Sequence, residues 1–369
     1  MIADRTARSS RAAGALLSWF HARERDVPWR GDRDPYRVWV AEVMTQQTRI
    51  ETVRPYYERF VQRFPTVETL ASAPIDDVLK LWEGLGYYRR ARHLHMAAGL
   101  VTQNGGQLPA DPEGLRALPG IGPYTAGAIA SLAFGLPEPA VDGNARRVLA
   151  RLFDLERPNG AAFDGAARDL LSAAGDQPAE LNQAIMDLGS SVCSPRQPSC
   201  GACPLAADCL AHERGTVALR PARRPTKRVP HRNVAVAAAS SDGRFLMVRR
   251  PEGGLLGGLW DLPGDVVENG ESARRTVSRV FANLGLATEV GERFSALDHA
   301  FSHLRITLYA FRATCDPGRP APSTYWPWQW ATPEELRTLA IPVATGRALE
   351  SIGRTPQDMS PPEPSPPVS

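Results

Sequence analysis

The sequence predicts a chain of two domains of different class: an all-α domain over residues 1–219, then an α+β domain over residues 233–348. Three observations predict it. Apolar residues in the first part recur at helical spacings. A run rich in Pro and Arg follows at residues 220–232. Beyond it, short β-like segments surround a single helical one.

The first helical stripe is formed by Trp39, Val43, Ile50, Val53, Tyr57, Phe60 and Phe64, spaced by three, four or seven. Pro55 is expected to split this stripe into two helices, because an interior proline loses a hydrogen bond and crowds the preceding turn. "IDDVLKLWEGLG" reads as a further helix ending at Gly84 or Gly86, and Leu181 to Ser191 as another. From Asn233 the segments "VAVAAAS", "RFLMVRR" and "ITLYAFRAT" read as strands, with a helix over Glu271 to Leu284. The last residues, 349–369, contain "PPEPSPP", too poor in apolar groups to pack, and are expected to be disordered.

With 369 residues the chain is long enough for two cores, and 43% hydrophobic against 22% charged residues is ordinary for a globular protein. Net charge is only +3, so charge as a whole points weakly to nucleic acid. Its distribution says more. "RPARRPTKRVPHR" holds six Arg or Lys and no acid, and "YYRRARHLH" joins Tyr87 and Tyr88 to three arginines. Either run is also compatible with a solvated linker or helix face. No secretory signal pattern is visible and no apolar run approaches the ~18 residues of a membrane span, so a cytosolic protein without membrane contact is expected.

Four of the five cysteines crowd together as C-x6-C-x2-C-x5-C: Cys193, Cys200, Cys203 and Cys209. In a reducing compartment this clustering favours metal ligation over disulfides. Four soft thiolates suit a structural zinc or an iron–sulfur cluster, and the spacing decides neither. Arg196, in the loop between the first two cysteines, is placed to meet a DNA phosphate. Cys315 stands apart and reads as a small buried hydrophobe.

In "LPGIGPYTAGAIA", Gly120 and Gly122 leave backbone amides open just before a helix, an arrangement that binds anions such as phosphate. Asp142 in "VDGNARRVLAR" precedes another helix and, taken alone, reads as its N-cap. Glu42 in "VWVAEVMTQQT" reads alone as one solvated position on an amphipathic helix, with Gln46 one turn on. If that face lines a pocket instead, desolvation raises the Glu42 pKa and lets it carry a proton at neutral pH.

These elements, in this order, resemble the helix–hairpin–helix DNA glycosylases that hold an iron–sulfur cluster. Within them, "PWR" at Pro28–Arg30, "DPYRVWVAEVMTQQT", "WEGLGYYRRARHLH", "LPGIGPYTAGAIAS" and "VDGNARRVLAR" are similar to the MutY-type adenine DNA glycosylases over residues ~13–215. The resemblance implies one [4Fe-4S] cluster on the four cysteines. It implies that Glu42 protonates adenine and helps activate water, that Asp142 stabilises the cationic sugar and that Asn144 supports it. It places Arg30 and Gln183 in the adenine pocket, Gln47 and Tyr87 as wedges beside the extruded base, and Tyr88, Gly120 and Gly122 against DNA. Tyr124 stands where lyase-active relatives carry the Schiff-base lysine, so strand cutting is not expected. The chemistry agrees: an acid on the leaving base and an anion beside an oxocarbenium-like sugar repeat the logic of paired carboxylates, and the base must leave the stack to reach them.

The second domain, with "GLLGGLWDLPGD" and "ENGESARRTVSRVFANLGL", resembles a Nudix domain. With the Nudix pattern anchored on Gly264, Val280, Gly285 and Leu286 match. Gly270 then replaces its first Glu, Ser278 and Arg279 replace Arg-Glu, and Ala282 and Asn283 replace the Glu pair. Hard cations need those oxygens, so nucleotide hydrolysis is not expected. The resemblance assigns Phe301, Ser302 and His303 to 8-oxoguanine recognition. The partner it implies is duplex DNA bearing adenine opposite 8-oxoguanine or guanine, bound by a monomer in a bacterial-type cytoplasm, at the nucleoid.

Three other functions are weighed. An endonuclease III-like glycosylase/lyase for oxidised pyrimidines is opposed by Tyr124 and the second domain. A Nudix hydrolase with a DNA-binding half is opposed by the missing glutamates, and a non-catalytic DNA-binding protein by Glu42 and Asp142.

Overall fold

The computed structural model describes residues 2–23, 26–222, 228–315, 318–321 and 327–352, with residues 2–4 as backbone. The centre of the predicted linker, 223–227, and the tail beyond Ile352 lie outside the described residues.

The helices of the first part run α1 (Ile2–His21), α2 (Pro35–Thr45), α3 (Ile50–Arg63), α4 (Val67–Ser72), α5 (Ile75–Leu81), α6 (Arg89–Gln103), α7 (Pro112–Ala117), α8 (Pro123–Leu132), α9 (Gly143–Leu152), α10 (Gly160–Leu171), α11 (Pro178–Ser191) and the short α12 (Leu210–Glu213). Sequence chemistry sets their ends. Asp34 caps α2, accepting from the Tyr36 and Arg37 amides, with Pro35 at the first helical position, where its missing N–H costs nothing. Thr66 and Asn159 cap α4 and α10 in the same way. The expected break at Pro55 does not occur: α3 runs through it. Pro55 is exposed, and so is Glu51, whose carbonyl the proline cannot satisfy, so water can do so. The stripe divides earlier, where Gln47 takes a left-handed φ of 57° between α2 and α3. Helix α5 likewise stops at Leu81, short of the expected Gly84 or Gly86, and a turn with Gly84 at φ 94° and Gly86 at φ 74° follows.

One core of this part gathers Leu16 of α1, Val148 and Leu149 of α9, Leu170 of α10, and Leu181, Ile185 and Leu188 of α11. Trp39, Met44, Phe60, Phe64 and Ile129 are also fully buried. Gly127 lets α8 lie directly on the following strand-like segment, since a Cβ there would sit 2.0 Å from the Pro139 carbonyl oxygen.

The second part contains β1 (His231–Ser241), β2 (Arg244–Arg249), β3 (Trp260–Asp261), β4 (Gly264–Val266), α13 (Ala273–Asn283), β5 (Thr288–Ala300), β6 (Arg305–Cys315), β7 (Trp328–Ala331), α14 (Pro333–Leu336) and α15 (Val343–Glu350). The sheet runs β3-β2-β1-β6-β5, with β4 beside β1 and β7 beside β2. Only β1 and β6 pair parallel among these strands. The alternation in β1 explains its two faces: Ala235, Ala237 and Ala239 pack with Val277, Val280 and Phe281 of α13, while Val236 and Ala238 pack with Ala344 and Ala348 of α15. The strands β3, β4, β5 and β7 lie outside the segments expected from sequence, and α15 runs two residues into the stretch read as tail.

The chain divides into two compact units, residues 1–73 with 93–225, and residues 74–92 with 226–369. The segment Pro74–Arg92, expected in the first domain, thus belongs to the second unit, and the boundary falls within α6.

Candidate active site

The first unit contains a cleft of about 1780 Å³, bordered by α2, α8, α9 and α11. It gathers nine of the predicted residues: Arg30, Glu42, Gln47, Gly120, Gly122, Tyr124, Asp142, Asn144 and Gln183.

Glu42 sits on a helix buried on nearly every side, from Val38 to Met44, so the solvated-face alternative fails. Its side chain is 7% exposed. Burial pushes its carboxyl from 4.5 up to about 7; a hydrogen bond from Tyr124 opposes the rise, and the nearby Asp142 charge adds to it. Tyr124 donates that bond from its hydroxyl to Glu42 Oε2 at 2.7 Å, with Met186 Sδ at 3.4 Å. Burial first, and then the Glu42 charge, hold the Tyr124 hydroxyl well above 10. The sequence read Tyr124 only as the absence of a lysine. The structure adds its place against the acid.

Asp142 is the N-cap of α9 and also faces the site. Its Oδ1 accepts from the Ala145 amide at 2.6 Å, and its Oδ2 accepts from Asn144 Nδ2 at 3.1 Å. The two readings of Asp142 are thus compatible, one for each carboxylate oxygen. The approach to Asp142 is fixed by Asn182, 2% exposed, which accepts from the Ala140 amide and donates to the Glu138 carbonyl and Ser131 Oγ.

Arg30 donates to Asp187 Oδ2 at 2.8 Å, and its guanidinium lies 4.9 Å from the centre of the Phe20 ring. Its Nε and Nη1 are buried and lack a partner, which leaves two donors available beside the cleft. Gln183 donates to the Ala179 carbonyl at 3.5 Å.

In the hairpin between α7 and α8 the two glycines differ. Gly120 has φ 82°, and a Cβ there would lie 2.7 Å from His93 Cβ. Gly122 has φ −89° and open space where a Cβ would go. Only Gly120 thus takes a backbone angle that calls for glycine, and Gly122 contributes open access as the residue before α8.

None of the four clustered cysteines is in a disulfide; Cys193 is buried and the others are partly so. Burial pushes the Cys203 thiol up to about 11, and the charges of Cys193, Cys209 and Cys200 add to the rise. Among the described residues no three His, Cys, Asp or Glu side chains are grouped to hold a metal ion. The donor set is nonetheless that of a thiolate-bound centre. Two arginines that sequence reading missed hold the cysteine loop, and Arg147 joins it to the cleft. Arg147 donates to the Cys193 carbonyl at 2.7 Å and to Asn144 Oδ1 at 2.8 Å, so hydrogen bonds run from the cysteine loop through Arg147 and Asn144 to Asp142. Arg151, 3% exposed, reaches Cys193 Sγ at 3.3 Å and the carbonyls of Ser194, Val217 and Arg220. Asn144, Arg147 and Arg151 stand three and four apart in "NARRVLAR", one helix face, which is the signal that could have found them.

The remaining predicted residues lie in the second unit. Tyr87 is 41% exposed with a left-handed φ of 51°, and the Arg90 guanidinium lies 5.2 Å from its ring centre. Tyr88 is buried, 5% exposed, and its hydroxyl accepts from the Gly84 amide, so it shapes the loop and is not presented on the surface. Phe301 is half-buried, edge-on to His299 at 4.7 Å between ring centres, and Ser302 and His303 are exposed. Arg279 bonds both carboxylate oxygens of Glu271, at 3.1 and 3.2 Å. Counted from Asp265, Glu271 and Arg279 fall at the Glu and Arg positions of the pattern, while the matches at Gly264, Val280, Gly285 and Leu286 are lost. Val280, Asn283 and Leu284 then replace the metal-binding glutamates, so the loss of that acidic set stands.

Residues 40–167 match the HhH-GPD superfamily base excision DNA repair proteins, and residues 234–351 match the NUDIX domain. Among solved structures, a thermostable thymine-DNA glycosylase superposes with a TM-score of 0.52 at 28% identity, covering 56% of this chain and 98% of that one. The fold and cleft define a helix–hairpin–helix DNA N-glycosylase, a hydrolase, joined to a Nudix domain. Adenine DNA glycosylase of Rattus norvegicus is 34% identical over 390 residues, covering 89% of this chain and 75% of its own. That of Homo sapiens is 34% identical over 395 residues, covering 90% and 72%. The chain belongs to the adenine DNA glycosylase family.

Proposed function

We propose that the enzyme removes adenine paired with 8-oxoguanine or guanine in duplex DNA, as a monomer in the cytoplasm, and leaves an abasic site uncut. The observation that carries this reading is Glu42. It is a buried carboxyl titrating at about 7, held by Tyr124, in one cleft with the Asp142–Asn144 pair.

A carboxyl with this pKa is partly protonated at neutral pH and can deliver its proton to a ring nitrogen of the leaving base. Departure of adenine then leaves positive charge on the sugar, and Asp142 supplies the anion that lowers its energy. Glu42, now ionised, takes the proton of the water that adds to the sugar. The two unpaired Arg30 donors suit acceptor nitrogens on the extruded base, and Gln183 borders the same space. The open Gly122 amide lets a DNA phosphate approach the start of α8. Gln47 and Tyr87 hold strained left-handed backbones, as residues fixed for a wedge role do. Phe301, Ser302 and His303 read the base opposite. Tyr124 has no amine, so no Schiff-base adduct with the sugar forms there.

Cys193, Cys200, Cys203 and Cys209 would hold a [4Fe-4S] cluster, which supplies a rigid anchor for the loop carrying Arg196. Arg147 and Asn144 transmit that rigidity to Asp142 by hydrogen bonds.

The test is a panel of duplexes with adenine opposite 8-oxoguanine, adenine opposite guanine, and oxidised pyrimidines. Free base and strand breaks are measured with and without alkali. Adenine release with alkali-dependent breaks is expected; release of oxidised pyrimidines alone would sink the reading.

A further inference from the structure

The segment that carries Tyr87 is fastened at both ends to one corner of the β-sheet in its own unit. At its start, Asp76 accepts from Arg249 Nη2 at 2.5 Å. Arg249 closes strand β2 and also donates to the Gly258 carbonyl at 3.1 Å. Lys80 reaches the Leu339 carbonyl at 2.9 Å. At the segment's end, Arg92 donates to the carbonyls of Gly257 and Glu252, the latter at 2.9 Å. Arg250 adds a bond to the Leu255 carbonyl at 3.0 Å, and its other end is paired with the buried Asp261.

Four carbonyls of the loop 252–258 are therefore gripped by three arginines, one of them from the Tyr87 segment. The loop is over-determined in a second way. Leu256 takes a left-handed φ of 57°, and a Cβ at Gly257 would lie 2.4 Å from the Glu252 carbonyl oxygen. A bulky residue keeps such a conformation only where its surroundings impose it. Strand β2 continues by hydrogen bonds through β1 to β6, and the hairpin holding Phe301 joins β5 to β6, closed by the Phe301 amide on the Leu304 carbonyl at 2.7 Å. A continuous bonded path thus runs from Tyr87's segment to Phe301–His303.

We propose that Arg92 and the Asp76–Arg249 pair are positioning residues that set discrimination between 8-oxoguanine and guanine, by fixing Tyr87 and the Phe301–His303 hairpin in one rigid body. This rests on the reading of Tyr87 and Phe301–His303 as lesion contacts. An ion pair as exposed as Asp76–Arg249 adds little stability. Its geometry is the relevant property, because an ångström of misplacement is costly where contacts must be made together.

The test compares single-turnover excision of adenine opposite 8-oxoguanine and opposite guanine, with thermal melting run alongside. Arg92→Ala and Asp76→Ala should lower the ratio of the two rates, by about tenfold or more for Arg92→Ala. Melting and the rate opposite guanine should be nearly unchanged, and Asp76→Glu should restore the ratio. Tyr87→Ala and His303→Ala serve as references. If these lower the ratio while Arg92→Ala and Asp76→Ala leave it intact, the inference fails and the underlying reading survives. If Tyr87→Ala and His303→Ala leave the ratio intact, the reading fails and the inference with it.

Discussion

Replacing Glu42 with Gln is expected to stabilise the fold at alkaline pH and to remove catalysis. Glu42 binds its proton more tightly in the fold than in the unfolded chain, with the pKa raised from 4.5 to about 7. Its stabilising effect is complete below 4.5 and is lost as pH rises through about 7. Above that point the fold carries an ionised carboxylate in a desolvated site. The gap between 4.5 and about 7 corresponds to about 3 kcal/mol. Gln has nearly the same shape, still accepts from Tyr124 and never ionises. At pH 8 the variant should exceed the wild type by up to about 3 kcal/mol, or roughly 6–12 °C in melting temperature for a unit of this size. At pH 5 the difference should fall below about 1 kcal/mol. The assay is thermal or urea unfolding of both proteins at intervals from pH 5 to pH 8. A difference that does not grow with pH, or a variant less stable at pH 8, would refute the reasoning.

Three further outcomes follow from the geometry. Tyr124→Phe removes the bond that holds the Glu42 pKa down, so the alkaline limb of the single-turnover pH profile should move to higher pH; a downward move would contradict the assignment. Gly120→Ala places a Cβ at φ 82° and against His93, which should destabilise the fold by about 1–2 kcal/mol from the backbone alone, whereas Gly122→Ala should melt normally and weaken duplex binding, as titration of a labelled duplex would register. The purified protein should be yellow-brown with iron bound, and Cys203→Ser should lose that colour; a colourless protein with one zinc would defeat the cluster assignment.

Much of the catalytic cleft was legible because it is written in local chemistry. Asp142 announces its helix as an N-cap, and the cysteine spacing and the Gly120–Tyr124 turn are contiguous in sequence. What escaped depends on tertiary surroundings. Pro55 is tolerated because its orphaned carbonyl partner is on an exposed face. Glu42 could be read as solvated or buried until α2 was seen enclosed. Asp187 as the partner of Arg30 lies 157 residues away and leaves no local sign. The membership of residues 74–92 in the second unit rests on Asp76, Lys80 and Arg92 meeting residues about 160–260 positions later, which no window on the sequence contains.

The most direct test of Glu42 as the acid is single-turnover release of adenine from a duplex with adenine opposite 8-oxoguanine, by wild type and Glu42→Gln, with duplex affinity measured on the same samples. The account predicts adenine release by the wild type and none by the variant, at similar affinity. Adenine release by Glu42→Gln at a rate near that of the wild type would contradict it.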